Sequence, residues 1–310
     1  MTQAVTIGAQ ASALARSLTL NGPGATKIPR LVYGTAWKKD QTADLVYTAI
    51  KSGFRGVDTA AQPKHYDEPG VAAGVKRAIA EGIVQREDIY IQTKFTAPAG
   101  QNHITPYDIN ASLADKVRQS VNSSLKNFTI AGQEPYLDSL VLHSPLDTLE
   151  ETITVWETLE DFVPQQIRNL GISNTSQHVL DVTYSKMKIK PAIVQNRFHE
   201  RTRYETELRA SCQDKGIVFQ SFWTLTANNA LLKSYPVSKV AEGAGVDRVP
   251  AYYSLVLGLG KMVILDGTTN EAHMAEDLEG IERVGQWAEG EGVNVWASAL
   301  KEFKKAIREQ

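Results

Sequence analysis

The sequence predicts an α/β fold: a closed (β/α)8 barrel of the TIM type, with an N-terminal β-hairpin capping its bottom and residues 1–310 forming a single domain. Three observations lead there. Eight short apolar segments alternate with segments of helical period in a steady strand–helix repeat. No Pro/Ser-rich break interrupts that repeat. Neither G-x-G-x-x-G nor G-x-x-x-x-G-K-[ST] occurs, whereas an open doubly wound sheet carries a Gly-rich phosphate turn after its first strand. Alternation alone fits an open sheet as well as a closed barrel. The strand number and the missing turn favour the barrel.

The elements follow in order. "SLTLNGPGATKIPRLVYGTAW" reads as a hairpin turning at Asn21-Gly22-Pro23-Gly24, then a first core strand at Leu31–Gly34. A helix near Thr42–Ser52 leads to the second strand, Arg55–Thr59, and a second helix over Glu68–Glu81. The third strand, "DIYIQTKF", ends around Lys94. An insertion from Thr96 to Asp108 precedes a helix near Ile109–Asn127. "LDSLVLHSP" is the fourth strand, with His143 at its end, and "LEETITVWETLEDFV" the helix after it. The apolar runs "IRNLGISN", "PAIVQNRF", "GIVFQSFWTL" and "KMVILDGT" supply strands five to eight. "SALKEFKKAIRE" closes the chain as an amphipathic helix.

Composition narrows the function. The net charge is −2 with both signs interspersed, so no basic stripe marks a nucleic-acid or membrane-surface partner. The one cysteine, Cys212, permits no internal disulfide and suits a reducing compartment. It reads as a small buried hydrophobe. The first twenty or so residues lack the basic start and continuous apolar run of a secretory leader. No apolar run approaches the ~20 residues of a membrane span. The N-x-[ST] sequons at Asn110, Asn122, Asn127 and Asn174 are then chance occurrences, and the expected setting is cytoplasmic. His178 and His199 lack partners in sequence and read as structural or surface groups.

Barrel active sites sit at the carboxyl ends of the strands. Those ends carry Asp58, Lys94, His143, Ser173-Asn174, Gln195-Asn196, Phe222-Trp223 and Asp266-Gly267. The chain has no cysteine cluster, no H-E-x-x-H and no His pair at ligand spacing, which argues against zinc. It has no G-x-S-x-G elbow, which argues against acyl transfer. What remains is a Lys beside an Asp and a His, with a Tyr in the connecting loop. A Lys ammonium favours a neighbouring phenolate and lowers the tyrosine pKa. Such a Tyr can protonate a carbonyl oxygen near neutral pH. The Asp would hold the Lys, and the His would hydrogen-bond the same oxygen.

These segments resemble the aldo-keto reductase family over nearly the whole chain. "GFRGVDTA" is similar to its second-strand motif with Asp58, "YIQTK" to its third with Lys94, and "LVLHSP" to its fourth with His143. "GISN" and "VQN" resemble the segments that hold a nicotinamide carboxamide, through Ser173, Asn174 and Gln195. Phe222 stands where the family usually stacks a Tyr on the nicotinamide face, and stacking needs only the ring. The resemblance implies NAD(P)H-dependent reduction of an aldehyde or ketone to an alcohol, without a metal, by an oxidoreductase that acts on a small molecule and is expected to be a monomer. Metabolite tailoring is one setting for such an enzyme.

Three departures from the family pattern bear on the site. The loop after Asp58 is longer, and "HYDE" replaces the usual Y-x-N-E, so Tyr66 and His65 compete for the acid's place; Tyr66 is favoured because the Lys94–Asp58 pair suits a phenol. After the last strand, "ILDGTTNEAHMAEDL" puts Asp266, Gly267 and His273 where the family has Lys, Ser and Arg on the 2′-phosphate, while Glu276 and Asp277 keep the adenine-edge positions. A carboxylate repels that phosphate and accepts from a ribose hydroxyl. NADP(H) stays the family default, NAD(H) is not excluded, and relaxed selectivity is expected. Trp37, His65, Phe95, Pro145, Trp223 and Leu225 are the candidate pocket lining, and the insertion is either a lid or a solvated loop. A second reading is a nucleotide-binding redox sensor or regulatory barrel with little turnover. A third uses Lys94 as a Schiff-base amine.

Overall fold

An antiparallel hairpin comes first in the computed structural model, which describes residues 11–309. Its strands, β1 (Leu18–Thr19) and β2 (Lys27–Ile28), pair Leu18 with Ile28 and Thr19 with Lys27. Eight parallel strands follow: β3 (Leu31–Gly34), β4 (Gly56–Asp58), β5 (Tyr90–Phe95), β6 (Ser139–Leu142), β7 (Leu170–Ser173), β8 (Ile193–Arg197), β9 (Val218–Phe222) and β10 (Met262–Asp266). Each pairs with the next, and β10 pairs back onto β3, so the sheet closes. Nearly every strand residue is buried, as expected where side chains fill the barrel on one face and meet helices on the other.

The hairpin does cap the bottom. Leu20 and Ile28 cluster with Val32, Tyr90, Ile193, Val218 and Val263, all at the starts of barrel strands. The Gly24 amide also donates to the Arg168 carbonyl at 3.0 Å.

The connecting helices are α1 (Thr42–Lys51), α2 (Glu68–Ala80), α3 (Leu113–Asn127), α4 (Leu149–Glu160), α5 (Gln177–Lys186) and α6 (Thr206–Asp214). Helix α2 starts where Asp67 accepts from the Gly70 amide at 3.0 Å, with Pro69 in its first turn. It packs closely on α1 through Gly74, where a Cβ would lie 2.5 Å from the Ala43 carbonyl oxygen. Helix α3 begins at Leu113 rather than near Ile109. Asp108 instead accepts from the Asn110 amide at 2.9 Å, and Ser112 caps the helix. Between β9 and β10 the chain forms three helices, α7 (Asn229–Leu232), α8 (Tyr235–Ala244) and α9 (Arg248–Leu257), more than the repeat predicted. Helices α10 (Glu271–Glu289) and α11 (Val293–Ala306) complete the described chain. Among the described residues no helix is long and apolar enough to cross a membrane. The first half of the segment read above as lacking a leader's features, residues 1–10, lies outside them.

Candidate active site

The carboxyl ends of the strands open into one cavity of about 640 Å³. Beneath it lies the Lys94–Asp58 pair, both side chains buried, with Nζ 2.6 Å from Oδ2 and 2.8 Å from the Thr59 carbonyl. The other Asp58 oxygen accepts from Gln92 Nε2 at 2.6 Å and Gln195 Nε2 at 3.1 Å. Both amides also donate to Gln220 Oε1, at 2.7 and 2.8 Å, and Gln220 returns a bond to Gln92 Oε1 at 3.0 Å. A buried ion pair repays its desolvation only when its remaining groups are bonded, and this network bonds them. Burial pushes the Lys94 ammonium down, but Asp58 and Tyr66 outweigh it and hold its pKa above the usual value. Lys94 therefore stays charged.

Tyr66 lies against this pair, with Lys94 Nζ 4.9 Å from its ring centroid. The loop gets it there by folding back on Gln62, whose carbonyl accepts from the His65 amide at 3.2 Å and the Tyr66 amide at 3.1 Å. Tyr66 thus faces Lys94, while His65 stacks on Trp37 with centroids 4.0 Å apart. The sequence-based expectation of a lowered tyrosine pKa is corrected here. Burial raises it most, and burial with Asp58 outweighs the lowering by Lys94, so Tyr66 holds its proton above the ordinary range. That protonated state is the one a proton donor needs.

His143 follows β6 and packs edge-on against Tyr66, with centroids 6.0 Å apart. Burial first, then Lys94, His65 and Arg197, push its pKa down to about 3. The ring is therefore neutral at physiological pH. Its Nδ1 lies 2.7 Å from Thr96 Oγ1, and its backbone carbonyl accepts from Asn174 Nδ2 at 2.8 Å. A neutral His held at one nitrogen offers the other as a fixed hydrogen-bonding group.

Ser173, Asn174, Gln195 and Phe222 line the same cavity. Ser173 Oγ donates to the Gln195 carbonyl at 2.6 Å. Three wall residues other than Gly adopt left-handed backbone, Trp37 (φ 66°), Asn174 (φ 51°) and Trp223 (φ 59°). Such conformations cost energy and cluster at functional sites. At the far end lie Asp266, Gly267, His273, Glu276 and Asp277. Asp266 Oδ1 accepts from the Thr268 amide at 3.1 Å, whereas the buried Oδ2 has no hydrogen-bond partner among the described residues. Burial raises the pKa of Asp266, and burial followed by Asp266 pushes Asp277 up to about 8. Lys38 reaches this end and donates to the Gly267 carbonyl.

Trp37 and Trp223 flank the mouth, 64% and 52% exposed, and Leu225 lines it. Phe95 does not: it is fully buried and packs on Tyr107, because its side chain points outward from β5 while Gln92 and Lys94 point inward. Pro145 is also absent from the lining. The insertion is neither lid nor free loop. Gln101 donates to the Ala61 carbonyl at 2.8 Å, Gln62 to the Gly100 carbonyl at 2.7 Å, and Tyr107 to the Thr96 carbonyl at 2.8 Å, so it braces the Tyr66 loop from outside. Cys212 is buried, and burial pushes its thiol up to about 12. Among the described residues no three His, Cys, Asp or Glu side chains gather as a metal site.

Sequence reasoning missed Gln92, Gln220, Thr96, Lys38 and Arg197. Gln92 could have been found from the two-residue strand period, since it shares a face with Lys94. Thr96 and Lys38 act from loops, where no periodicity points to them.

The fold and site define a barrel with an acid–base constellation at its strand ends. A model of the aldo/keto reductase family matches residues 26–301, and the chain belongs to that family. It is 28% identical over 229 residues to the NAD(P)H-dependent D-xylose reductase of Pachysolen tannophilus, covering 66% of this chain and 65% of that protein. It is 31% identical over 205 residues to the glyoxal reductase of Bacillus subtilis, covering 66% and 64%. The matches thus span just under two thirds of these relatives' lengths. Crystal structures of an aldo/keto reductase from Brucella melitensis (20% identity, TM-score 0.68, covering 88% of this chain and 99% of that one) and of the Bombyx mori aldo-keto reductase in complex with NADP (21%, 0.68, 88% and 92%) share the fold.

Proposed function

We propose that this protein reduces an aldehyde or ketone to an alcohol with NAD(P)H, Tyr66 supplying the proton. The observation that carries the reading is the protonated Tyr66 phenol beside the charged Lys94, which Asp58 and three glutamine amides hold in place. As the Tyr66 proton leaves, the phenolate that forms meets a cation already oriented toward it, which stabilises it without reorganisation. His143, neutral and fixed by Thr96, directs the substrate oxygen toward Tyr66. The nicotinamide cofactor, when bound, supplies the hydride.

The residues fit such a cofactor. Gln195 spends its amide nitrogen on Asp58 and Gln220, which leaves its carbonyl oxygen for a carboxamide N–H. Phe222 offers a ring to stack on. At the far end Asp266 lines the cavity, and its carboxylate would suit a ribose hydroxyl better than a phosphate dianion. NADP(H) remains the family's expected cofactor, and this end supports admission of NAD(H) as well. Retention of Asp58, Lys94, Tyr66 and His143 together favours turnover over a purely regulatory barrel, which needs only the nucleotide contacts. A cytosolic, monomeric, single-domain enzyme accords with the same reading.

Stopped-flow fluorescence titration with NADPH and NADH, followed by a panel of carbonyl substrates, tests the proposal. Binding of at least one nucleotide with cofactor oxidation on addition of an aldehyde is expected. Absence of binding to both would overturn the reductase and regulatory readings together.

A further inference from the structure

Arg197 ends β8 and shares an inward face with Gln195, two residues before it. It lines the cavity with Tyr66 and His143. A guanidinium has five donors in a fixed fork, and here Nη1 donates to Asn174 Oδ1 at 2.7 Å. Among the described residues no carboxylate forms an ion pair with it. Glu205, which senses its charge, turns instead toward Asn196 Nδ2 at 3.4 Å, and burial holds its carboxyl above the usual range. The guanidinium carbon lies 4.7 Å from the Trp223 ring centroid and 5.2 Å from that of Phe222. Ring packing and the Asn174 bond fix the group before any ligand arrives, so little ordering entropy opposes binding.

A pre-oriented cation without a counter-charge, in the cavity that holds the proton donor, calls for an anion. We infer that Arg197 binds a carboxylate carried by the carbonyl substrate, so that the protein's preferred substrates are oxo acids or aldehydes bearing a carboxylate. This inference rests on the reductase reading for its chemistry and on Arg197 for its selectivity. The cofactor's pyrophosphate is the other anion available to this cavity. It lies beyond the ribose from the nicotinamide, whereas Arg197 touches Asn174 at the carboxamide end. The substrate is therefore the better match.

The test compares 4-carboxybenzaldehyde with 4-methylbenzaldehyde for the wild type, Arg197→Lys and Arg197→Met. The readouts are kcat/KM for each aldehyde, the Kd of NADPH and the thermal midpoint. The wild type should favour the carboxylate. In Arg197→Met the carboxyl-to-methyl ratio of kcat/KM should fall at least about tenfold, the low end for a hydrogen bond to a charged group, and mainly through KM. Arg197→Lys should keep part of the preference, since it keeps charge and loses the fork. Equal losses for both aldehydes, an unchanged ratio, or a loss traced to NADPH binding would overturn the proposal, the last assigning Arg197 to the cofactor phosphates. If neither aldehyde turns over, nucleotide binding and the wider carbonyl panel decide the reductase reading separately. Calorimetric binding of 4-carboxybenzaldehyde then decides the role of Arg197: at least about tenfold weaker binding in Arg197→Met supports it, and equal binding sinks it.

Discussion

Replacing Asp277 with Asn should remove a pH dependence of stability that the wild type shows near neutrality. Asp277 titrates near 8 in the folded protein, raised by burial and then by Asp266, Glu276 and Asp247. An unfolded Asp titrates near ~3.9. Between these values the native state holds a proton that the unfolded state has lost. Stability then falls as pH rises, by up to about 1.4 kcal/mol per unit, and the contribution is gone once pH passes the folded value. Integrated from about pH 6 to about pH 8, the loss is about 2 kcal/mol. His143 has the opposite sign and another window. Its folded pKa of about 3 lies below the unfolded value near ~6.5, so stability rises with pH across that interval and is flat above it. Asp266, Glu68 and Glu205 also have raised values; subtracting the variant's curve from the wild type's removes Glu68 and Glu205, and Asp266, raised first by its own burial, largely cancels as well. Urea unfolding at three pH values measures both proteins. The wild type should lose about 2 kcal/mol more than Asp277→Asn over this range. Parallel curves would refute the raised Asp277 carboxyl on which the prediction rests.

Other predictions concern cofactor choice and the buried network. NADPH should bind less than about a hundredfold tighter than NADH, because one carboxylate charge about 5 Å from a phosphate costs about 3 kcal/mol at an effective dielectric of about 20. Replacing Asp266 alone leaves Asp277 free to ionise, so the double variant Asp266→Asn with Asp277→Asn is the informative one. Its NADPH-to-NADH affinity ratio should rise at least about tenfold, read by fluorescence titration. Gln92→Leu should cost about 1–3 kcal/mol in urea unfolding, because Gln220 Nε2 loses its only acceptor among the described residues and Asp58 Oδ1 and Gln220 Oε1 each lose one of their two donors. Thr96→Val should lower kcat about fivefold with cofactor affinity unchanged, since it frees His143 Nδ1.

Much of the barrel was legible because each strand is a short apolar run with a polar end, and that pattern also led to Asp58, Lys94 and His143. The three helices between β9 and β10 were not, since a helical pattern sets no limit on how often it is broken by turns. Phe95 was misplaced through a neglected alternation: next to Lys94 in sequence, it belongs on the opposite face of β5. The Tyr66 pKa could not be read because its direction depends on how deeply the phenol is enclosed, which neighbours in sequence do not reveal. Which of His65 and Tyr66 faces Lys94 depends on a turn made by one carbonyl, that of Gln62.

The most direct test of the proton-donor assignment is single-turnover reduction of an aldehyde by Tyr66→Phe and His65→Gln with saturating NADPH. Loss of the proton donor should slow Tyr66→Phe at least about a hundredfold while its cofactor affinity holds, and His65→Gln should stay within about tenfold of the wild type. Near-normal turnover in Tyr66→Phe, with the large loss in His65→Gln, would contradict the assignment and move the proton to the imidazole.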